Sequence, residues 1–104
     1  MSLREIFLGL QQKLAGQEVK GLNAVYQFEL EGEETGVYHL VFTDGAGKVG
    51  EGAAASPNLT VTMSSGDFRA MLAGELNPAA AFMGGKLKIK GDMSLAMKLQ
   101  SFLS

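Results

Sequence analysis

A single histidine, no cysteine and no tryptophan occur in the 104 residues of this chain. The missing cysteines exclude disulfides, thiolate metal sites, iron–sulfur clusters and a cysteine nucleophile together. His39 alone cannot supply a site that needs two imidazoles. No acid or nucleophile stands where it would pair with His39, so the residue reads as a rim histidine of its strand and not as a general base or metal ligand. Gly45-Ala46-Gly47-Lys48-Val49-Gly50 matches Gly-x-Gly-x-x-Gly. Dinucleotide binding needs a helix to begin there, so that its N-terminus meets the pyrophosphate. The following stretch has no helical period, and a hairpin turn is the expected structure. Asn58-Leu59-Thr60 matches the glycosylation acceptor; with no secretory signal ahead of it, it reads as the start of a strand. No triad, metal set or pair of carboxylates on one element is visible, so an enzyme is the least supported class and neither metal nor cofactor is expected.

Charge is unevenly placed. Glu29, Glu31, Glu33 and Glu34 cluster near one turn at strand-alternate spacing, which suits a solvated hairpin tip better than a calcium loop. Lys86, Lys88, Lys90 and Lys98 form the opposite cluster. Two readings of it stand side by side: edge lysines that keep a sheet from pairing with other chains, or a local attraction for anionic lipid headgroups. The net charge of −2 makes no case for nucleic acid.

The elements that must position these groups follow from periodicity. Leu3, Ile6, Phe7, Leu10 and Leu14 share one helical face, with Ser2 and Glu5 at capping-box spacing and Gly16 as the stop. The period then becomes two. Tyr26, Phe28 and Leu30 alternate with polar neighbours, and so do Tyr38, Leu40 and Phe42 after a Gly32–Gly36 turn. Asp44 to Gly47 should turn a hairpin into a third strand over Lys48–Ala54. After Pro57-Asn58, Leu59, Val61 and Met63 mark a fourth strand. Ser64 with Asp67 opens a helix carrying Phe68, Met71 and Leu72 that ends at Gly74. Asn77-Pro78 opens a short helix that stops at Gly84-Gly85. Lys86–Lys90 is a fifth strand, and Asp92 caps a last helix over Met93–Leu103. The expectation is an α+β fold of order α-β-β-β-β-α-α-β-α, one five-stranded, mainly antiparallel sheet with helices on one face. Apolar residues at 46% and charged residues at 19% exclude a disordered chain, and the length suits one domain over residues 1–104. No run reaches the ~18 apolar residues of a membrane span and no signal peptide is visible, which predicts a cytoplasmic domain.

One feature exceeds what a sheet can cover. In the last helix Leu95, Leu99, Phe102 and Leu103 form one apolar stripe, and Met93, Ala96 and Met97 form another beside it. The short helices before it crowd Phe68, Met71, Leu72, Leu76, Phe82 and Met83 together. Five of the six methionines lie from Met63 onward. Methionine fills irregular gaps in small cores, and it also lines surfaces that adapt to apolar partners of varied shape.

Three segments resemble the C-terminal signature of sterol carrier protein type-2 domains: Asp67-Phe68-Arg69-Ala70-Met71-Leu72-Ala73-Gly74-Glu75-Leu76-Asn77-Pro78, Ala81-Phe82-Met83-Gly84-Gly85-Lys86-Leu87-Lys88-Ile89-Lys90-Gly91-Asp92-Met93, and Leu95-Ala96-Met97-Lys98-Leu99. The strand Tyr26-Phe28-Leu30 and the hairpin ending Asp44-Gly45 also sit where that family has them. The resemblance implies a hydrophobic tunnel between sheet and helices, and non-enzymatic binding and transfer of lipids such as fatty acids, fatty acyl-CoA, sterols or isoprenoid-like molecules. It implies that Phe82, Met83, Met93, Met97 and Leu99 lie in segments bordering that tunnel. Phe28, Leu40, Phe68, Met71 and Phe102 are expected to complete the lining, with Lys86 and Lys88 holding an anionic headgroup at its mouth. The expected partners are a lipid or other long apolar molecule and, transiently, an anionic membrane surface, with the protein a monomer or weak homodimer. No fused thiolase or dehydrogenase is present and the chain ends Phe102-Leu103-Ser104 instead of in a Ser-Lys-Leu type signal, which predicts a stand-alone prokaryotic member. The rival reading is an interaction module whose apolar helical face docks on a lipid or quinone biosynthesis enzyme, or on a second copy.

Overall fold

Helix α1 (Leu3–Ala15) begins where Ser2 and Glu5 cap each other's backbone amides, and it buries Leu3, Phe7, Leu10 and Leu14. Three strands follow, β1 (Ala24–Glu31), β2 (Gly36–Thr43) and β3 (Ala46–Glu51). Then come β4 (Leu59–Ser64), helices α2 (Ser65–Leu72) and α3 (Pro78–Met83), β5 (Leu87–Gly91) and α4 (Met93–Leu103). The computed structural model describes residues 2–16 and 19–103, with 99–103 as backbone only. The element order is the one the periodicity predicts.

The strands form one sheet in the order β3-β2-β1-β4-β5. Three of its four seams are antiparallel; β1 and β4 run parallel, with Phe28 opposite Val61. The third strand begins at Ala46 and ends at Glu51, earlier than Lys48–Ala54. The reason is the turn: Asp44 and Gly45 alone occupy it, both at positive φ (50° and 90°). That two-residue geometry matches the twist of the flanking strands, so Gly47 already pairs with Phe42. The Gly-rich stretch is therefore hairpin, as its lack of helical period implied.

One sheet face carries Tyr26, Phe28, Leu30, Leu40, Phe42, Leu59, Val61 and Met63, all buried beneath the helices. Helix α1 lies over the β3 side, α2 over β1 and β4, and α3 and α4 over the β4–β5 side. The centre of the core is aromatic. Phe7 stacks on Tyr38 at 4.2 Å and on Phe68 at 5.1 Å, and Phe28 tilts against Phe7 and Phe68 at 5.8 and 5.6 Å.

The crossover from β3 to β4 runs along the other face. His39 bonds the Gly52 carbonyl through Nδ1 at 2.8 Å, and its ring occupies the space a side chain at Gly50 would take. Gln27 accepts from the Ala54 amide at 2.9 Å. Asn58 receives the Val25 amide on its side chain at 2.8 Å and donates its own amide back to Val25. His39 is thus a clamp on the crossover, and Asn58 begins β4 by tying it to β1.

Helix α4 is fastened at its start. Asp92 accepts from the Ser94 hydroxyl and amide at 2.6 and 2.9 Å, and these bonds hold its carboxyl below the usual range. Deeper in, the Tyr26 hydroxyl donates to the Leu95 carbonyl at 3.0 Å. Burial, helped by Asp92, pushes the Tyr26 phenol up to about 12. In the unfolded chain it would lose its proton near pH 10, so the folded state retains the proton over that interval. The resulting stabilisation is complete below pH 10 and is lost as pH rises through about 12. Unfolding followed across that range should show stability falling in wild type and a flatter profile in Tyr26→Phe.

Candidate functional site

Two apolar openings break the helical layer. The larger lies between α1 and α2, encloses about 440 Å³, and is lined by Ile6, Gly9, Leu72 and Ala73 with Glu5 and Arg69 at its rim. Gly9 faces open space: a Cβ there would meet nothing within 4 Å. A glycine inside a helix costs roughly 0.5–1 kcal/mol relative to alanine.

The rim is held by one carboxylate. Glu34 accepts from the Leu3 amide at 2.9 Å and pairs with Arg69 at 2.5 Å, while its own amide donates to Ser65 Oγ at 3.2 Å. Of the four acids read as a solvated tip, Glu34 is therefore the fastening between both helices and the hairpin. Gln27 donates to Glu29, and Glu31 and Glu33 are exposed. Both partners of the Arg69 pair remain about one third exposed.

The smaller opening, about 140 Å³, lies between α3, β5 and α4 and is lined by Phe82, Leu87, Ile89, Met93, Ala96 and Met97 among others. The expected lining residues thus divide into two groups. Phe28, Leu40, Phe68 and Met71 are each 0% exposed and belong to the core cluster. Phe82, Met83, Met93 and Met97 are exposed at 43, 86, 49 and 78%. The side chains of Leu99 and Phe102 lie outside the described residues. Lys86 and Lys88 are exposed; Lys88 alternates with Leu87 and Ile89 and so points to the opposite face of the sheet. Ile6, Gly9, Leu72, Ala73 and Arg69 were not singled out as a site by pattern. The one signal for them is Gly9, which interrupts a helix that gains no close packing from it. No cluster of three metal-ligating side chains is present among the described residues, and no described helix is long and apolar enough to cross a membrane.

Residues 5–104 match the SCP-2 sterol transfer family, and the chain belongs to that family. It is 43% identical over 102 residues to hydroxysteroid dehydrogenase-like protein 2 of Xenopus laevis, covering 97% of this chain and 24% of that protein. The chain spans about a quarter of the length of the curated relatives it matches. Among solved structures, palmitated SCP2L2 from Aedes aegypti superposes with a TM-score of 0.83 at 25% identity, over 99% of this chain and 95% of that one. The crystal structure of sterol carrier protein 2 like 2 from the same organism gives 0.81 at 26% identity, over 97% and 95%. The five-stranded sheet with helices on one face is the fold of these proteins.

Proposed function

We propose that this domain binds and carries a long-chain anionic lipid, such as a fatty acid, without chemically altering it. The observation that carries the reading is the apolar α1–α2 groove, with the Arg69–Glu34 pair and the Glu5 carboxylate at its rim. Its 440 Å³ falls in the roughly 300–1,000 Å³ range of small-molecule sites, whereas two further openings among the described residues are about 200 and 140 Å³. Family membership and the palmitated relative support the same substrate class.

The energetics suit a carrier. About 14 methylenes leaving water gain roughly 11 kcal/mol gross, at ~0.8 kcal/mol each, before the costs of association. Little directional bonding is needed, so selectivity should be broad. Arg69 would exchange part of its contact with Glu34 for the lipid carboxylate, a charge-assisted and bidentate pairing that guanidinium favours. Deeper insertion, toward Phe68 and Met71, requires α2 to move off the sheet. Gly74 and the Gly84-Gly85 pair flank the segments that would pivot.

The test fills the groove. Gly9→Phe places a ring where a Cβ meets nothing, so the fold should persist. Wild type purified with a lipid extract should carry acyl species in native mass spectra, and Gly9→Phe should retain a fluorescent fatty acid at least about tenfold less well, equivalent to ~1.4 kcal/mol. A wild type that captures no acyl or isoprenoid lipid defeats the carrier reading. Unchanged retention in a folded Gly9→Phe defeats this placement of the site.

A further inference from the structure

We propose that the outer edge of β3 is a docking site for an extended peptide segment, which adds to the sheet as a further strand and seats one apolar side chain between β3 and α1. β3 ends the sheet order, so no strand lies beyond it. The Gly52 amide donates to the Val37 carbonyl at 2.7 Å, and the register repeats that pairing at every second residue of β3. Gly50, Lys48 and Ala46 therefore bond toward β2, while Gly47, Val49 and Glu51 turn their N–H and C=O groups outward. Outward rows of this kind template the addition of a strand.

Helix α1 already places an amide on this edge. The Gln11 carboxamide accepts from the Val49 amide at 2.6 Å and donates to the Gly47 carbonyl at 3.0 Å. These are contacts that another strand would make. One step further along, the outward pair is the Val49 carbonyl and the Glu51 amide. Beside it lies an opening of about 200 Å³ walled by Phe7, Leu8, Tyr38 and Val49, with Arg4 and Glu51 paired at its rim at 3.0 Å. Arg4 and Gln11 clasp α1 to the edge, and Leu8, about one helical turn from each, is 58% exposed between them.

Size and charge select the partner. The opening falls below the roughly 300 Å³ at which small-molecule sites begin, and it suits a single apolar side chain. Its rim carries both signs, beside one outward acceptor and one outward donor. That mixture matches the alternating N–H and C=O groups of a peptide better than a lone anion or cation. The opposite edge differs. β5 carries Lys88 and Lys90, with Lys86 just ahead of it, and lysines on an edge discourage pairing; β3 carries Lys48 alone. The site shares no residue with the α1–α2 groove, so a peptide can dock whether or not lipid is held.

Amide NMR titration tests this with a blocked peptide of alternating threonine and leucine, about five residues long. Wild type should bind with a dissociation constant of about 1 mM or tighter, with the largest shifts at the Val49, Gly50 and Glu51 amides. The same peptide methylated on every backbone nitrogen keeps its side chains but cannot donate, and should bind at least about tenfold more weakly. Leu8→Asp, at an exposed position, should weaken the unmethylated peptide by about tenfold or more, with unfolding midpoint and fatty-acid retention unchanged. No saturable shift along β3, equal binding of the methylated peptide, or full binding by Leu8→Asp would overturn the proposal. So would the same amides shifting with protein concentration in the absence of peptide, which would assign the edge to a second copy of this chain. Fatty-acid retention is read separately, so failure here leaves the carrier reading standing, and the converse also holds.

Discussion

Phe68→Ala is expected to remove about 3–5 kcal/mol of stability. The ring is 0% exposed and lies between two others, stacked on Phe7 at 5.1 Å and tilted against Phe28 at 5.6 Å. Its loss removes the transfer free energy of the side chain and leaves a cavity that the rigid sheet beneath cannot collapse to fill. A domain of this size has on the order of 5–15 kcal/mol in total, so the variant should sit close to unfolding at room temperature. Urea titration measures the change. Phe7→Ala should cost a similar amount, and the double variant less than the sum, because each aromatic pair contributes ~0.5–1.5 kcal/mol beyond its buried area. Simple additivity would mean that Phe7 and Phe68 are packed independently.

Gly91→Ala should cost about 3 kcal/mol or more, although it adds only a methyl group. Gly91 ends β5 at φ 123°, a region that side chains rarely enter, and its Cβ would collide with the Asn58 carbonyl oxygen. That oxygen also accepts from the Asp92 amide at 3.1 Å, while the Asn58 side chain receives the Val25 amide. With the Asn58 amide also donating to the Val25 carbonyl at 2.8 Å, the clash is against backbone pinned by three hydrogen bonds. The expected result is a large drop in thermal midpoint with loss of the β5–α4 unit first, seen as early hydrogen exchange from Ile89 through Leu95. Gly85→Ala is a useful contrast: it also has positive φ, 78°, but its Cβ meets nothing, so it should cost about 1 kcal/mol. Equal costs at the two sites would show that backbone angle alone, and not the collision, decides the matter.

Much of the fold was legible because its punctuation is local. Ser2 with Glu5, Ser64 with Asp67, Asn77-Pro78 and Gly84-Gly85 each fix an end within four residues, and the observed helices begin and stop there. The start of β3 was not, since whether Gly47 turns or pairs depends on the positive φ at Asp44. The parallel seam between β1 and β4 leaves no mark in either strand alone. The site was less legible for a related reason. Phe28, Leu40, Phe68 and Met71 are apolar whether they touch lipid or each other, and residue type cannot separate the two. Ile6, Gly9, Leu72 and Arg69 become neighbours only when α1 and α2 lie side by side. Glu34 looked like one solvated acid among four until α2 brought Arg69 to it.

The parallel seam also bears on how the chain assembles. Contacts β1–β2 and β2–β3 join neighbours in sequence and can zip from their turns, whereas β1 must wait for β4 across the whole β2–β3 hairpin. Closing that distance costs loop entropy before any pairing returns it. A formed hairpin shortens the span by holding Gly36 and Glu51 at one end of the sheet, near where the crossover departs. The meander is thus a template whose early formation favours the late, central seam, and α2, which lies over β1 and β4, can settle only after that seam has closed.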